Sequence, residues 1–253
     1  MLTVTCASLS GGQGKTTSAL FLGRSLAAQG QRVLMIDADP QSSLSFYLGC
    51  ELSPDQPTLL EVLKKEIDVV DSLLAVDDRL TLIPADDALD SAQDFLATSG
   101  MGAIVLRRRL LPLQDRFDFC VIDAPPQRSQ LCMTSVGAAD QLLIPAEASS
   151  KGLNSLLRTL DLVAEMSEVE AFQGQILGVL PFRDRWLGRT QAKQSQKSLE
   201  SMQEVAAGHP ILPSILESEQ FKKAIDQGVS LAALGYADLE YPFRTILEKL
   251  GCE

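Results

Sequence analysis

Residues 8–17 read Ser8-Leu9-Ser10-Gly11-Gly12-Gln13-Gly14-Lys15-Thr16-Thr17, and the rest of the 253-residue chain is organised around them. An apolar run from Leu2 to Ala7 leads in, and a helical pattern from Thr16 to about Gln29 leads out. Strand, glycine-rich turn, Lys-Thr and helix is the layout of a phosphate-binding loop. Glycines let backbone N–H groups turn toward an anion with no Cβ in the way. The helix adds the positive end of its dipole. Lys15 brings a full charge to the β- and γ-phosphates of a nucleotide, and the Thr16 hydroxyl is placed to hold Mg²⁺. Gly11, Gly12, Gln13, Gly14, Lys15, Thr16 and Thr17 are therefore the expected phosphate-binding set. The general pattern G-x-x-x-x-G-K-[ST] is incomplete, because its first glycine falls on Leu9.

Bulk composition narrows the class. Hydrophobic residues make up 45% of the chain and charged residues 22%, ample for one core in a single domain over 1–253. No apolar run approaches the roughly 20 residues that span a bilayer. The N-terminus lacks a basic region followed by an apolar stretch and a cleavage site. A cytoplasmic protein is expected. Cys6, Cys50, Cys120, Cys132 and Cys252 are odd in number and form no C-x-x-C pair, which fits reduced, mostly buried thiols rather than a metal cluster. The single histidine, His209, precedes Pro210 in a turn, which argues against histidine-based catalysis. The net charge of −11 is local: residues 50–95 carry twelve Asp/Glu and three Lys/Arg, leaving only −2 for the remainder. One acidic face does not forbid a basic one elsewhere.

Arg32–Asp37 and Phe117–Asp123 are continuous apolar runs ending in acids, the profile of central parallel strands buried on both faces. Leu80–Pro84, Gln141–Pro145, Gln175–Pro181 and a short Ile211–Pro213 are further strands. Helical spacing marks Thr58–Lys65, with a capping box between Thr58 and Glu61. It also marks Ala88–Leu96, Ala103–Leu111, Lys151–Met166, Thr190–Ala207, Ser218–Gln227 and about Asp238–Leu250. Alternation of this kind predicts βαβ units with right-handed crossovers. The expected fold is α/β: a P-loop NTPase with a mostly parallel twisted sheet flanked by helices on both faces. Its ligand should lie beyond the carboxyl ends of the strands.

Two acids follow the second strand, Asp37 and Asp39, and Asp123 ends the strand FDFCVID. A Mg²⁺–triphosphate needs carboxylates near the metal's water shell, since Mg²⁺ keeps several waters, and one acceptor to orient the attacking water. An acid at a strand end is also a common N-cap, so it is the three together with residues 8–17 that point to a nucleotide site.

The segments GGQGKTT, RVLMIDADPQ, FDFCVIDAPP and QLLIPAEASSKGL resemble the Walker A, A′ and B boxes and the following segment of the ParA/MinD family of deviant Walker A ATPases. The C-terminal ILPSILESEQFKKAIDQGVSL is similar to that family too. The resemblance implies ATP and Mg²⁺ as cofactors, with Lys15 on the phosphates, Thr16 ligating Mg²⁺, Asp37 and Asp123 holding its water shell and Asp39 positioning the hydrolytic water. It implies a homodimer sandwiching two ATP molecules, slow hydrolysis and partners that change with nucleotide state.

One position departs. The family's box begins with a lysine that crosses the dimer interface to the partner's ATP, and here that position is Ser10. The site could be dead, could work without a lysine in trans, or could draw a cation from elsewhere. Lys151, in the first turn of a helix capped by Ser149 or Ser150, is the candidate. A lysine there opposes the helix dipole at about 0.3–1 kcal/mol, which a nearby anion would offset; an ordinary solvated lysine is the alternative. Arg183, Arg185 and Arg189 are weaker candidates. Serine at this position resembles the McdA group, ATPases that maintain carboxysome distribution along the nucleoid with a small McdB-type adaptor.

Arg185, Arg189, Lys193 and Lys197 follow a four-residue spacing, with Arg183 and Trp186 alongside. On a helix this is one basic stripe, sufficient for phosphate contacts to nonspecific double-stranded DNA; a solvated helix face is the plain alternative. Pro181 and Phe182 would wall the adenine, or Phe182 packs in the core. Two other functions compete: a MinD-like membrane-associated ATPase, which needs a basic amphipathic C-terminal helix that YADLEYPFRTILEKLGCE, interrupted by Pro242, does not supply, and a P-loop small-molecule kinase or ligase, for which no acceptor pocket is marked. The expected protein is a nucleoid-associated ATPase in the cytoplasm.

Overall fold

The computed structural model describes residues 1–53 and 55–252. The apolar runs form the strands: β1 (Leu2–Cys6), β2 (Val33–Asp37), β3 (Leu74–Ala75), β4 (Leu80–Ile83), β5 (Phe119–Asp123), β6 (Gln141–Glu147), β7 (Gln175–Asp184), β8 (Trp186–Leu187), β9 (Thr190–Gln191) and β10 (Ile215–Leu216). The helices are α1 (Lys15–Ala28), α2 (Ser43–Tyr47), α3 (Leu59–Lys64), α4 (Ala92–Thr98), α5 (Val105–Arg109), α6 (Gln130–Gly137), α7 (Ser150–Glu168), α8 (Lys193–Val205), α9 (Glu219–Asp226) and α10 (Tyr241–Lys249).

Eight strands make one sheet in the order β10-β7-β6-β1-β5-β2-β4-β3, and only the β3–β4 pair in it is antiparallel. The expected mostly parallel sheet is present. β1, β2 and β5 are buried on both sides, which is why they read as unbroken apolar runs. One side of the sheet packs on α1, α9 and α10 through Leu20, Phe21, Phe221, Phe243 and Ile246. The other side packs on α3 to α6 and on α7 and α8. Thr58 and Glu61 close the capping box of α3. All five cysteines are free, and all but Cys50 are buried.

Three expectations are corrected, and one helix is added. The helix read over Thr190–Ala207 begins only at Lys193, because Trp186–Leu187 and Thr190–Gln191 pair as an antiparallel hairpin. Gly188 turns it at φ 64°, and the buried Asp184 carboxylate accepts from the Trp186 indole at 2.9 Å and from the Gln191 amide at 2.9 Å. The short strand read at 211–213 is a single bridge from Ile211 to Val179, and the added edge strand is Ile215–Leu216. Pro242 does not interrupt the last helix. It occupies the first turn of α10, where its missing N–H costs nothing. Helix α6, which the sequence pattern did not mark, is buried on nearly every side and so shows no polar–apolar period.

Candidate nucleotide site

Strand register assembles the site. Cys6 pairs with Asp123, and Asp37 pairs with Asp123, so the end of β1, the start of the glycine loop and both strand-end acids share one edge. Gly12 and Gly14 take φ of 82° and 89°, the left-handed region that turns successive N–H groups inward. Gly14 is restricted further, because a Cβ there would lie 2.5 Å from the Phe182 ring. Helix α1 starts at Lys15, and with no acidic side chain in its first turn its N-terminal N–H groups are left to an anion.

Lys15 is nearly buried, and its Nζ donates to the Ser10 carbonyl at 3.0 Å. Burial pulls its pKa down, against the charges of Asp123 and Asp39 that hold it up. Asp37 is fully buried and accepts from the Ser45 N–H and hydroxyl, both at 2.8 Å, and from the Asp39 N–H at 3.2 Å. Burial outweighs these bonds and raises its pKa to about 6. Asp123 is pushed up well beyond the carboxylate range, by burial first and then by the charges of Asp37 and Asp39. The Thr16 hydroxyl and Lys15 pull the other way, yet neither Asp123 oxygen closes a hydrogen bond. Asp39 is half-buried and accepts the Gln41 N–H at 3.0 Å.

Two buried carboxylates beside Lys15 and Thr16, one with only the Thr16 hydroxyl nearby and no well-formed hydrogen bond to either oxygen, fit a hydrated divalent ion, whose waters would be the donors that Asp123 lacks. Among the described residues no group of three metal-ligating side chains exists, so the ion would need phosphate oxygens and the Thr16 hydroxyl as well. That is the Mg²⁺–nucleotide pattern rather than a protein cage.

A cavity of about 510 Å³ opens beside the loop, lined by Thr17, Phe182, Arg183, Leu216, Glu217 and Ser218 among others. Phe182 packs in the core and also lines this cavity. Pro181 is buried inside β7 opposite Ala146 and is not among the residues lining this cavity. A second cavity, about 480 Å³, is lined by Asp39, Gln41, Asp87, Asp90, Pro125 and Pro126 among others.

Ser149 caps α7, accepting the Gly152 N–H at 3.2 Å, and Lys151 lies in the first turn with its exposed Nζ donating to the Gly11 carbonyl at 2.8 Å. The lysine therefore stands over the phosphate loop, where Ser10 offers no charge. Gln13 brings its backbone to the loop, but its side chain is fully buried and its Oε1 accepts the Glu147 N–H at 2.9 Å.

The expected basic stripe does not exist on one helix. Arg183, the penultimate residue of β7, takes φ 55° and lies 5.3 Å over the Phe182 ring and 3.6 Å from Glu147. Arg185 precedes the hairpin and lies 3.6 Å from Glu217. Arg189 is in the hairpin turn, and only Lys193 and Lys197 are on α8. Arg189, Lys193 and Lys197 are exposed.

The family profile described as an AAA domain matches residues 1–171. The chain is similar along its whole length to maintenance of carboxysome distribution protein A (McdA) of Synechococcus elongatus, with 94% identity over 252 residues and 100% of both chains covered. The sporulation initiation inhibitor protein Soj of Bacillus subtilis is 32% identical over 178 residues, covering 68% of this chain and 70% of its own. A solved structure of a variant of Cyanothece McdA in complex with ATP superimposes with a TM-score of 0.98 at 54% identity, covering 100% of this chain and 97% of that one.

Proposed function

The chain belongs to the McdA family of ParA-type P-loop ATPases, and from that membership we propose that it is an ATP-driven positioning protein that distributes carboxysomes. Two copies close around two ATP molecules, the dimer binds nucleoid DNA without sequence preference, and hydrolysis stimulated by a McdB-type adaptor releases it. The observation that carries the ATPase reading is Asp123: a buried carboxylate with no well-formed hydrogen bond, beside Lys15 and Thr16 at the glycine loop.

Each part of the reaction falls to a named residue. The N–H groups of Gly11 to Thr17 and the α1 N-terminus cradle the β- and γ-phosphates, and Lys15 leaves the Ser10 carbonyl for them. The Thr16 hydroxyl, Asp37 and Asp123 would hold Mg²⁺, which when bound would supply positive charge against the phosphates. Asp39, half-exposed beside these groups, orients the attacking water. Adenosine takes the cavity walled by Phe182 and Arg183. Lys151 supplies to the partner's phosphates the charge that Ser10 lacks. Its place on the Gly11 carbonyl supports this, since the loop faces the dimer partner in such a sandwich.

DNA contact falls mainly to Arg189, Lys193 and Lys197, because Arg183 and Arg185 already face Glu147 and Glu217. The membrane alternative is disfavoured: the apolar side of α10, Phe243, Ile246 and Leu247, is buried against α1, and no described helix is long and apolar enough to cross a membrane. Fluorescence anisotropy on random-sequence duplex DNA tests the reading. Binding is expected in Mg·ATP and not in ADP, weakening as salt rises. Alanine at Arg189, Lys193 and Lys197 together should flatten the salt dependence by about 0.9 in log–log slope for each phosphate these side chains neutralise. No binding at low salt in ATP would refute the DNA-binding step.

A further inference from the structure

We propose that Gln13 is a positioning residue for Lys151: its buried amide couples the glycine loop to the turn that carries that lysine. The inference rests on the reading of Lys151 given above.

Gln13 is the variable position between two glycines of the loop, in a segment whose neighbours Gly11 and Gly12 are exposed, yet it is 0% exposed. Its Oε1 accepts the Glu147 N–H at 2.9 Å, across 134 residues of chain, and its Nε2 lies 3.5 Å from the Gly11 carbonyl. Lys151 Nζ donates to that same carbonyl at 2.8 Å. Gln13 and Lys151 thus converge on one backbone atom of the loop.

The connection from Glu147 to Lys151 is stiff. The Glu147 carbonyl accepts the Ser149 N–H at 2.6 Å, and its carboxylate accepts the Ser149 hydroxyl at 3.0 Å. That hydroxyl also accepts the Gly152 N–H at 3.2 Å, capping α7. Gly152 lies so close to the Glu147 backbone that no Cβ fits between them. A shift of Glu147 is therefore carried into the first turn of α7, and Lys151 moves with it. Positioning of this kind matters steeply, because small misplacements of an oriented group cost large factors in function.

Gln13 is not needed to hold α7 to the loop. Ser8 and Ser155 share a hydrogen bond at 2.8 Å, and the Leu9 N–H donates to Thr159 at 3.1 Å, one and two turns further along the helix. Removal of the Gln13 amide should leave these bonds and the fold in place, while leaving the Glu147 N–H without its acceptor and the 147–152 turn free to shift.

The test is a double-mutant cycle read by sedimentation of the full chain with a non-hydrolysable ATP analogue and Mg²⁺. Gln13→Met keeps the shape and removes the amide; Gln13→Ala serves as the second variant if Gln13→Met does not fold. The single variant is expected to weaken dimerisation at least about tenfold, read at saturating analogue so that any change in analogue affinity is removed from the comparison. In the Lys151→Ala background the Gln13 substitution should add less than about twofold, because its effect runs through the absent lysine. Wild-type dimerisation of the Gln13 variant, with Lys151→Ala impaired, overturns this inference alone, as do effects that simply add. Wild-type dimerisation of Lys151→Ala overturns the reading of Lys151 and this inference with it.

Discussion

Asp37 and Asp123 sit side by side on neighbouring strands, both buried, and their pKa values are raised because ionising either one there is costly. A site that holds such carboxylates is disfavoured for stability and suited to a cation. The sign of the pH effect follows for Asp37, raised from 3.8 to about 6. Between these values the native residue keeps a proton that the unfolded chain has released. Its contribution to stability is thus full below pH 4 and declines as pH rises to 6, by roughly 1.4 kcal/mol per unit. Asp37→Asn should show a shallower fall in urea-denaturation stability over pH 4–6 than the unchanged protein; equal slopes would contradict the burial argument. These acids were legible in the sequence because each ends an unbroken apolar run. Gln13 as a link to α7 was not, since its partner at Glu147 is 134 residues away and the motif leaves its position free.

At the level of elements, the central strands and α1 were readable from apolar runs and from glycine placement. What failed were segments whose local signals were ambiguous. The spacing of Arg185, Arg189, Lys193 and Lys197 matched a helical stripe, but Asp184, gathering the Trp186 and Gln191 side chains, folds the first part into a hairpin. No spacing rule contains that interaction. Helix α7 shows the opposite case: Ser149 capped it as the sequence suggested, and its first turn carries Lys151 onto the loop. Ser149→Ala removes the cap of Gly152 and the bond to Glu147. A stability decrease of about 1 kcal/mol by urea denaturation is expected. A decrease near zero would mean that α7 is held by packing and by Ser155 and Thr159 alone.

Over the whole molecule, the acidic excess and the proposed DNA-contacting bases lie in different parts of the sheet order. The acidic 50–95 stretch surrounds β3 and β4 at one end, while Arg189, Lys193 and Lys197 follow β7 near the other, with the nucleotide site at β1 between them. The sequence revealed the imbalance, but strand order was needed to separate the poles. An acidic protein can in this way present a basic surface to DNA. On the function proposed above, the chain compensates for Ser10 by lending Lys151 to its partner. Phosphate release from a mixture of two variants tests it most directly. Asp39→Ala should bind ATP and dimerise but hydrolyse slowly, and Lys151→Ala should dimerise far more weakly than the unchanged protein. In a mixed dimer the Lys151→Ala protomer keeps its own Asp39 and receives Lys151 from the Asp39→Ala protomer. If Lys151 acts in trans, the mixture hydrolyses ATP well above the sum of the two variants measured apart. If the mixture does no better than that sum, Lys151 does not cross the interface and does not compensate for Ser10.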